Sequence, residues 1–259
     1  MHHFFVSESD IDTINREIRL TGDNYNHLKN VLRVHPGEVV LISDGTGTDY
    51  ECEVTEIREE AVLLHIHFQE EIHELPAEIY LFQGLPKQDK MELIIQKAVE
   101  LGAHAIVPLS TKNTVVKLDD KRADKKTGRW QAIAEAAAKQ SKRSIIPEVL
   151  PIMKWKDAME MVREFDLAMI PYENAHDIKK TMEELKKLPN HGKIGVFIGP
   201  EGGFTEQEIA DAEQHGVTPV TLGKRILRTE TAAIASMSIL MLTLESMGNG
   251  EDHKETPET

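Results

Sequence analysis

Near residue 73 the rhythm of apolar residues changes, and that change restricts the fold more than any other feature of the chain. From Phe4 to about Gln69, apolar positions fall in short runs: Glu38-Val39-Val40-Leu41-Ile42, Tyr50-Glu51-Cys52-Glu53-Val54 and Val62-Leu63-Leu64-His65-Ile66. Turn formers such as Asp44-Gly45-Thr46-Gly47 separate them. Short strands at this spacing predict a small β-barrel over residues 1–72. The acidic stretch Glu70-Glu71-Ile72-His73-Glu74-Leu75-Pro76 reads as a linker. Strands then alternate with helices, which predicts an α/β domain with a mostly parallel sheet over 73–248. The charged, proline-containing stretch 249–259 reads as a disordered tail.

In the second part, the predicted strands are Ile79–Phe82, Ala105–Leu109, Asp166–Ile170, Lys193–Ile198 and Val217–Leu222. Asp89 followed three residues on by Glu92 has the form of a helix N-cap, with Met91, Ile94, Ile95, Ala98 and Leu101 as the buried stripe and Gly102 as the stop. A further helix is expected around Trp130, whose ring belongs to the core rather than to a base-stacking platform. The longest apolar segment, Ala232 to Leu244, carries Ser236, Ser238 and Thr243 and is closed by Glu245. It is shorter than the ~20 residues that span a bilayer and reads as a buried helix, too apolar for a single buried stripe.

One cysteine, Cys52, leaves no internal disulfide and no thiolate-rich metal site, and the scattered His65, His67 and His73 form no ligand pattern. No metal is therefore expected. The chain opens without a basic region followed by an apolar stretch, so the expected location is the cytoplasm, with no membrane partner. A net charge of −14 argues against phosphate binding, but its distribution does not. Between Lys112 and Arg143 ten basic residues stand against four acidic ones. Such a run is either a solvated helix face or a row of phosphate contacts.

Two loops carry the candidate chemistry. The first, Ile198-Gly199-Pro200-Glu201-Gly202-Gly203-Phe204, lies between a strand and a helix whose Thr205 and Glu208 form a capping box. Ligands of open α/β sheets sit beyond the carboxyl ends of strands, where glycine lets backbone amides approach closely. The spacing is that of neither a dinucleotide-binding nor a triphosphate-binding loop, and it also suits an ordinary tight turn. The second, Leu222-Gly223-Lys224-Arg225-Ile226-Leu227-Arg228-Thr229-Glu230-Thr231-Ala232, leaves the next strand in chain order and is expected to flank the same crevice. It could equally be a polar helix start capped by Thr229, with Glu230 favoured by the helix dipole.

Taken in order, five motifs resemble the ribosomal RNA small subunit methyltransferase E family of the SPOUT methyltransferases. They are His27-Leu28 with Val31-Leu32-Arg33; Lys90 and Glu92 through Gln96-Lys97 to Glu100-Leu101-Gly102; Arg129-Trp130 with Glu135-Ala136 and Gln140-Ser141; and the two loops. The resemblance implies a PUA-like RNA-binding barrel, a catalytic domain closed by a deep trefoil knot, a homodimer, and S-adenosylmethionine as cofactor. It further implies methylation of N3 of a uridine in the decoding region of small-subunit ribosomal RNA, within an assembled subunit. Carried onto this chain, the cofactor residues are Ile198, Gly199, Glu201, Gly202, Leu222, Leu227, Arg228 and Thr231. The candidate RNA contacts are Arg33, Arg129, Gln140 and Arg143, with His27 more suited to a structural role. Two positions depart from the family pattern: His3 stands where many members have arginine, and Lys224 where many have proline.

Uracil N3 carries a proton, so its methylation needs a proton acceptor and a cation near the flanking carbonyl oxygens. Glu230 and Arg228 are the candidates for those roles. Two other readings fit the sequence: a non-catalytic RNA-binding protein, and a SPOUT methyltransferase acting on another base or on a ribose 2'-hydroxyl.

Overall fold

The computed structural model describes residues 1–70, 74–115 and 120–248. The expected boundary at 72–73, the centre of the acidic linker, part of the basic window and the tail 249–259 lie outside the described residues. The chain divides into two compact units, Met1–Glu74 with Ala138–Ile146, and Leu75–Ala137 with Pro147 onward.

The first unit contains β1 (His2–Phe5), β2 (Ile11–Asp12), β3 (Glu17–Leu20), the short α1 (Gly22–Asn26), β4 (Val39–Ser43), β5 (Asp49–Ile57) and β6 (Val62–Glu70). They form one sheet in the order β1-β4-β5-β6-β3-β2, in which only the β1–β4 pair is parallel. Its core follows the period-2 pattern: Cys52 and Val54 of β5, Val62, Leu64 and Ile66 of β6, Ile18 and Leu20 of β3 and Ile42 of β4 share one cluster. Burial pushes the Cys52 thiol up to about 12, which leaves it inert. The β4–β5 turn is set by Asp44, whose Oδ1 accepts from the backbone N–H groups of Thr46, Gly47 and Thr48 at 2.8–3.0 Å. Gly45 and Gly47 supply the positive φ angles of +77° and +124°.

Residues 138–146 join this unit through buried polar groups. Ser144 Oγ donates to Asp49 Oδ2 at 2.7 Å, Ser43 Oγ donates to Asp49 Oδ1, and His3 Nε2 lies 2.6 Å from Ser43 Oγ. Arg143, expected as a phosphate contact, is instead 6% exposed and ion-paired with Glu74. Glu74 also accepts from the N–H groups of Ser144 and Ile145 at 3.0 and 3.2 Å. A guanidinium enclosed with its own carboxylate is not available to a phosphate.

The second unit comprises β7 (Glu78–Gly84), α2 (Lys90–Glu100), β8 (Ala103–Ser110), α3 (Asp120–Ser141, whose last turn belongs to the first unit), β9 (Glu148–Val149), β10 (Met153–Lys154) and α4 (Trp155–Met161). After these come β11 (Leu167–Pro171), α5 (Ile178–Leu185), β12 (Lys193–Ile198), α6 (Glu206–Gln214), β13 (Val217–Val220) and α7 (Thr229–Gly248). The strand order is β10-β8-β7-β12-β11-β13, with β9 beside β8, and every pair is parallel. At its centre Phe82 and Phe197, neighbours in register, stack with centroids 4.2 Å apart.

Helix α2 buries Met91, Ile94, Ile95, Ala98 and Val99; Leu101, expected in that stripe, is its partly exposed C-cap. Gly102 stops the helix with φ +87°, and an added Cβ would lie 2.5 Å from Leu75 Cδ1. Asp89 is the N-cap residue of α2, as expected, but its side chain makes no cap hydrogen bond, and the Glu92 carboxylate pairs with Arg129 of α3 at 2.8 Å. Trp130 is 4% exposed, in the core as its pattern predicts. Helix α7 buries Ala233, Met237, Leu240 and Leu244 while leaving Ile239 and Leu242 exposed.

Removing one partner of a buried ion pair strands the other charge, at about 3–5 kcal/mol. Glu74→Ala should therefore lower the unfolding free energy by roughly 3 kcal/mol or more, read from urea denaturation; a loss below about 1 kcal/mol would contradict the role assigned to this pair.

Candidate cofactor-binding and catalytic site

The carboxyl ends of β11, β12 and β13 lie side by side, and the loops that leave them enclose a cavity of about 530 Å³. That is the size range of small-ligand sites. The two glycine-bearing loops leave strands consecutive in the chain and flank one crevice, as expected; in the sheet β11 lies between β12 and β13 and contributes a third loop, Pro171, Tyr172, Glu173 and His176. The sequence pattern predicts β11 itself, but no motif in it assigns a role to this third loop. The signal that could have found it is the rule that ligands collect beyond strand carboxyl ends.

Of the expected cofactor residues, Ile198, Gly199, Glu201, Gly202, Leu222, Leu227 and Arg228 line this cavity. Thr231 does not; it is exposed in the first turn of α7, and the residues that line the cavity there are Thr229 and Ala232. Thr229 is buried and ties three elements together. Its Oγ1 donates to the carbonyl of Gly199 at 2.6 Å and accepts from Gln83 Nε2, at the end of β7, at 3.0 Å. Gln83 is itself fully buried, and its Oε1 has no hydrogen-bond partner among the described residues.

The glycines of the first loop are required by the protein as well as by any ligand. A Cβ on Gly202 would lie 3.0 Å from Asn113 Cβ, and one on Gly199 would lie 3.0 Å from the Cα of Gly203. Asn113 Nδ2 donates to the carbonyls of Gly202 and Gly203 at 2.8 and 3.2 Å, and Gly203 has φ +63°. On the far side of the loop, the expected capping box forms: Thr205 and Glu208 exchange hydrogen bonds at the start of α6. Glu208 Oε1 also accepts from the N–H of Lys112 at 2.8 Å.

Lys90, at the start of α2, was named in the sequence only as part of a motif, yet it organises the charges of the site. Its ammonium lies 3.0 Å from Glu201 Oε1 and 3.4 Å from Glu230 Oε2. Glu201 also accepts from the N–H of Lys87 at 3.1 and 3.2 Å, in a loop where Gln88 holds φ +59°. Burial works against the Glu201 carboxylate, but Lys90 and the backbone donors prevail and hold it below the ordinary glutamate range. The hydrogen bond to Glu201 raises Lys90 above the ordinary lysine range. Glu230 stands behind Lys90 and is not part of the cavity wall; its Oε2 has the ion pair and no hydrogen bond of proper geometry among the described residues.

The four expected RNA contacts have different fates. Arg33 is exposed in the first unit, ending a π-helical turn with left-handed φ +55°. Gln140 is exposed in the last turn of α3, in the same unit. Arg129, in the second unit, is 66% exposed but held by Glu92, and Arg143 is enclosed as described. His27 is exposed and meets Phe4 edge-on at 5.8 Å. No helix among the described residues is long and apolar enough to cross a membrane.

The Lys90 cluster makes a pH-dependent prediction. Glu201 is depressed in the folded state, so its contribution is present above the ordinary glutamate value of 4.5 and is lost as pH falls through the lower folded value. Lys90→Met should lower the melting temperature at pH 7, and the gap from wild type should narrow on acidification below 4.5. A gap that is constant from pH 7 to pH 3 would contradict it.

Comparison with known proteins places this geometry in a family. Residues 73–241 match the RNA methyltransferase domain and residues 20–66 the RNA methyltransferase PUA domain. The chain is 38% identical over 231 residues to the ribosomal RNA small subunit methyltransferase E of Bacillus subtilis, covering 87% of this chain and 90% of that one. It is 32% identical over 233 residues to the protein of the same name from Synechocystis, covering 90% and 75%. Among solved structures, a ribosomal RNA small subunit methyltransferase E from Neisseria gonorrhoeae bound to S-adenosyl methionine superposes with a TM-score of 0.79, 33% identity and coverage of 93% and 97%. An α/β unit with a parallel sheet, a PUA-like unit before it and relatives that match nearly the whole length together mean that this chain belongs to the ribosomal RNA small subunit methyltransferase E family.

Proposed function

We propose that this protein is an S-adenosylmethionine-dependent methyltransferase of small-subunit ribosomal RNA that modifies N3 of a uridine in the decoding region. The observation that carries the reading is the cavity beyond β11, β12 and β13, lined by both glycine-bearing loops of the family. Its residues suit the cofactor. Ile198, Phe204, Leu222 and Leu227 offer apolar surface to an adenosine, the backbone of Gly199–Gly202 offers polar groups, and Glu201 offers charge to an amino-acid arm.

S-adenosylmethionine supplies an electrophilic methyl group on a sulfonium. The chain's own residues position the two reactants and manage one proton and one developing charge. Arg228, exposed on the cavity wall, faces the negative charge that grows on the uracil oxygens as the N3 proton leaves. Glu230 takes that proton through a water molecule, because its carboxylate does not line the cavity, whereas Lys90, 3.4 Å from it, does. The target base reaches this wall only out of its stack, which suits a looped uridine.

The wider reading follows the family: the chain is threaded as a trefoil knot through the segments that carry the two loops, it acts as a homodimer in the cytoplasm, and its substrate is an assembled subunit. Arg33 and Gln140 of the first unit are the RNA contacts that are exposed without an ion pair to hold them, whereas the exposed Arg129 is paired with Glu92.

Single-turnover methylation of unmethylated small subunits, with nucleoside analysis of the product, tests this reading. The wild type should yield N3-methyluridine, and Glu230→Gln should slow the step about 100-fold or more with the cofactor still bound. A methylated guanine or ribose would replace the uridine assignment, and a Glu230→Gln enzyme of full rate would remove the base.

A further inference from the structure

The loop from Leu222 to Arg228 carries exposed residues at the cavity to which the cofactor reading assigns no role. Its ends are fixed. At one, Thr181 Oγ1 donates to the carbonyl of Thr221 and accepts from its N–H, at 3.1 and 3.0 Å; at the other, Thr229 is tied to Gly199 and Gln83. Between these anchors Gly223 turns the chain with φ +111°, and Lys224, Arg225, Ile226 and Arg228 are all exposed on the rim of the cavity. Ile226 is 86% exposed.

A single exposed isoleucine is ordinary on a protein surface. Here it stands at the apex of a braced loop, flanked by three cations within five residues, in a chain whose net charge is −14. Cations concentrated against the average charge of the protein mark where a polyanion meets it. The position marks which part of the polyanion: any base entering the cavity passes this rim. An apolar side chain between phosphate contacts is the arrangement by which proteins hold an unstacked step open.

We infer that Lys224, Arg225 and Ile226 form a rim that grips the RNA strand on either side of the target nucleotide, the two cations on phosphates and Ile226 against the base left exposed when its neighbour swings out. This rests on the methyl-transfer reading above and adds to it a strand-gripping site apart from the cofactor. The occupant is single-stranded RNA, for which the cations provide the charge complement. A purely apolar partner would leave Lys224 and Arg225 desolvated without counter-charges.

The test uses the full chain, saturated with S-adenosylmethionine, and unmethylated small ribosomal subunits as the probe. Lys224→Gln with Arg225→Gln should flatten the salt dependence of binding, the slope of log K against log salt changing by roughly 0.7 per phosphate contact removed. Ile226→Ser should weaken binding roughly 5- to 10-fold with the salt slope unchanged, a loss within the range of a single base contact. Melting temperatures should stay close to wild type in both variants, and calorimetry sets the S-adenosylmethionine concentration that saturates each one, so that subunit affinities are compared at equal cofactor occupancy. Unchanged subunit affinity and salt slope would overturn the inference, as would an Ile226→Ser variant whose only effect is on oligomeric state. A wild type that binds no S-adenosylmethionine would bring down the underlying reading instead, and the rim with it.

Discussion

The hydroxyl of Thr229 holds the site together. It donates to Gly199 in the loop after β12 and accepts from Gln83 at the end of β7, and it begins α7. Three segments far apart in the chain therefore converge on one buried oxygen. A neutral hydrogen bond contributes about 1 kcal/mol, but leaving Gln83 and Gly199 without it would also strand buried polar groups. The second loop projects its exposed residues from two ends, at Thr221 and Thr229, that are each tied by side-chain hydrogen bonds.

The parallel sheet makes that convergence possible. With every pair parallel, the carboxyl ends of β11, β12 and β13 fall on one edge, and the loops leaving them face one another across the cavity. Lys90 then links α2 to the glycine loop and to α7 through Glu201 and Glu230. Packing, hydrogen bonding and charge thus act on the same few residues. In the other unit, Asp49, Ser43 and Ser144 perform a comparable task, fixing residues 138–146 to the sheet by buried polar contacts.

Much of this was legible in the residues. Period-2 apolar runs located β4, β5 and β6, and the strand-helix alternation gave the parallel sheet, because both patterns arise from local geometry. The Thr205–Glu208 cap was readable for the same reason. At Asp89 the cap position was readable but its hydrogen bonds were not, since the Glu92 carboxylate is engaged by Arg129, more than thirty residues away. Arg143 looked like a phosphate contact because a charge run does not reveal which member is enclosed by Glu74. Strand order also escaped, so the loop after β11 was missed, and Thr231 was chosen over Thr229, its neighbour on the inner side of the same helical turn. The two cofactor loops were found by resemblance; their glycines alone also suited ordinary turns.

Calorimetric titration of S-adenosylmethionine into the wild type and into Thr229→Val is the most direct test of the claim that these loops form one cofactor site. Thr229→Val keeps the shape of the side chain while removing both hydrogen bonds. The account predicts a saturable site in the wild type and an affinity at least about 10-fold weaker in a variant with unchanged circular dichroism, the equivalent of roughly 1.4 kcal/mol. A wild type that binds no cofactor even with RNA present, or a Thr229→Val protein that binds it equally well, would contradict that claim.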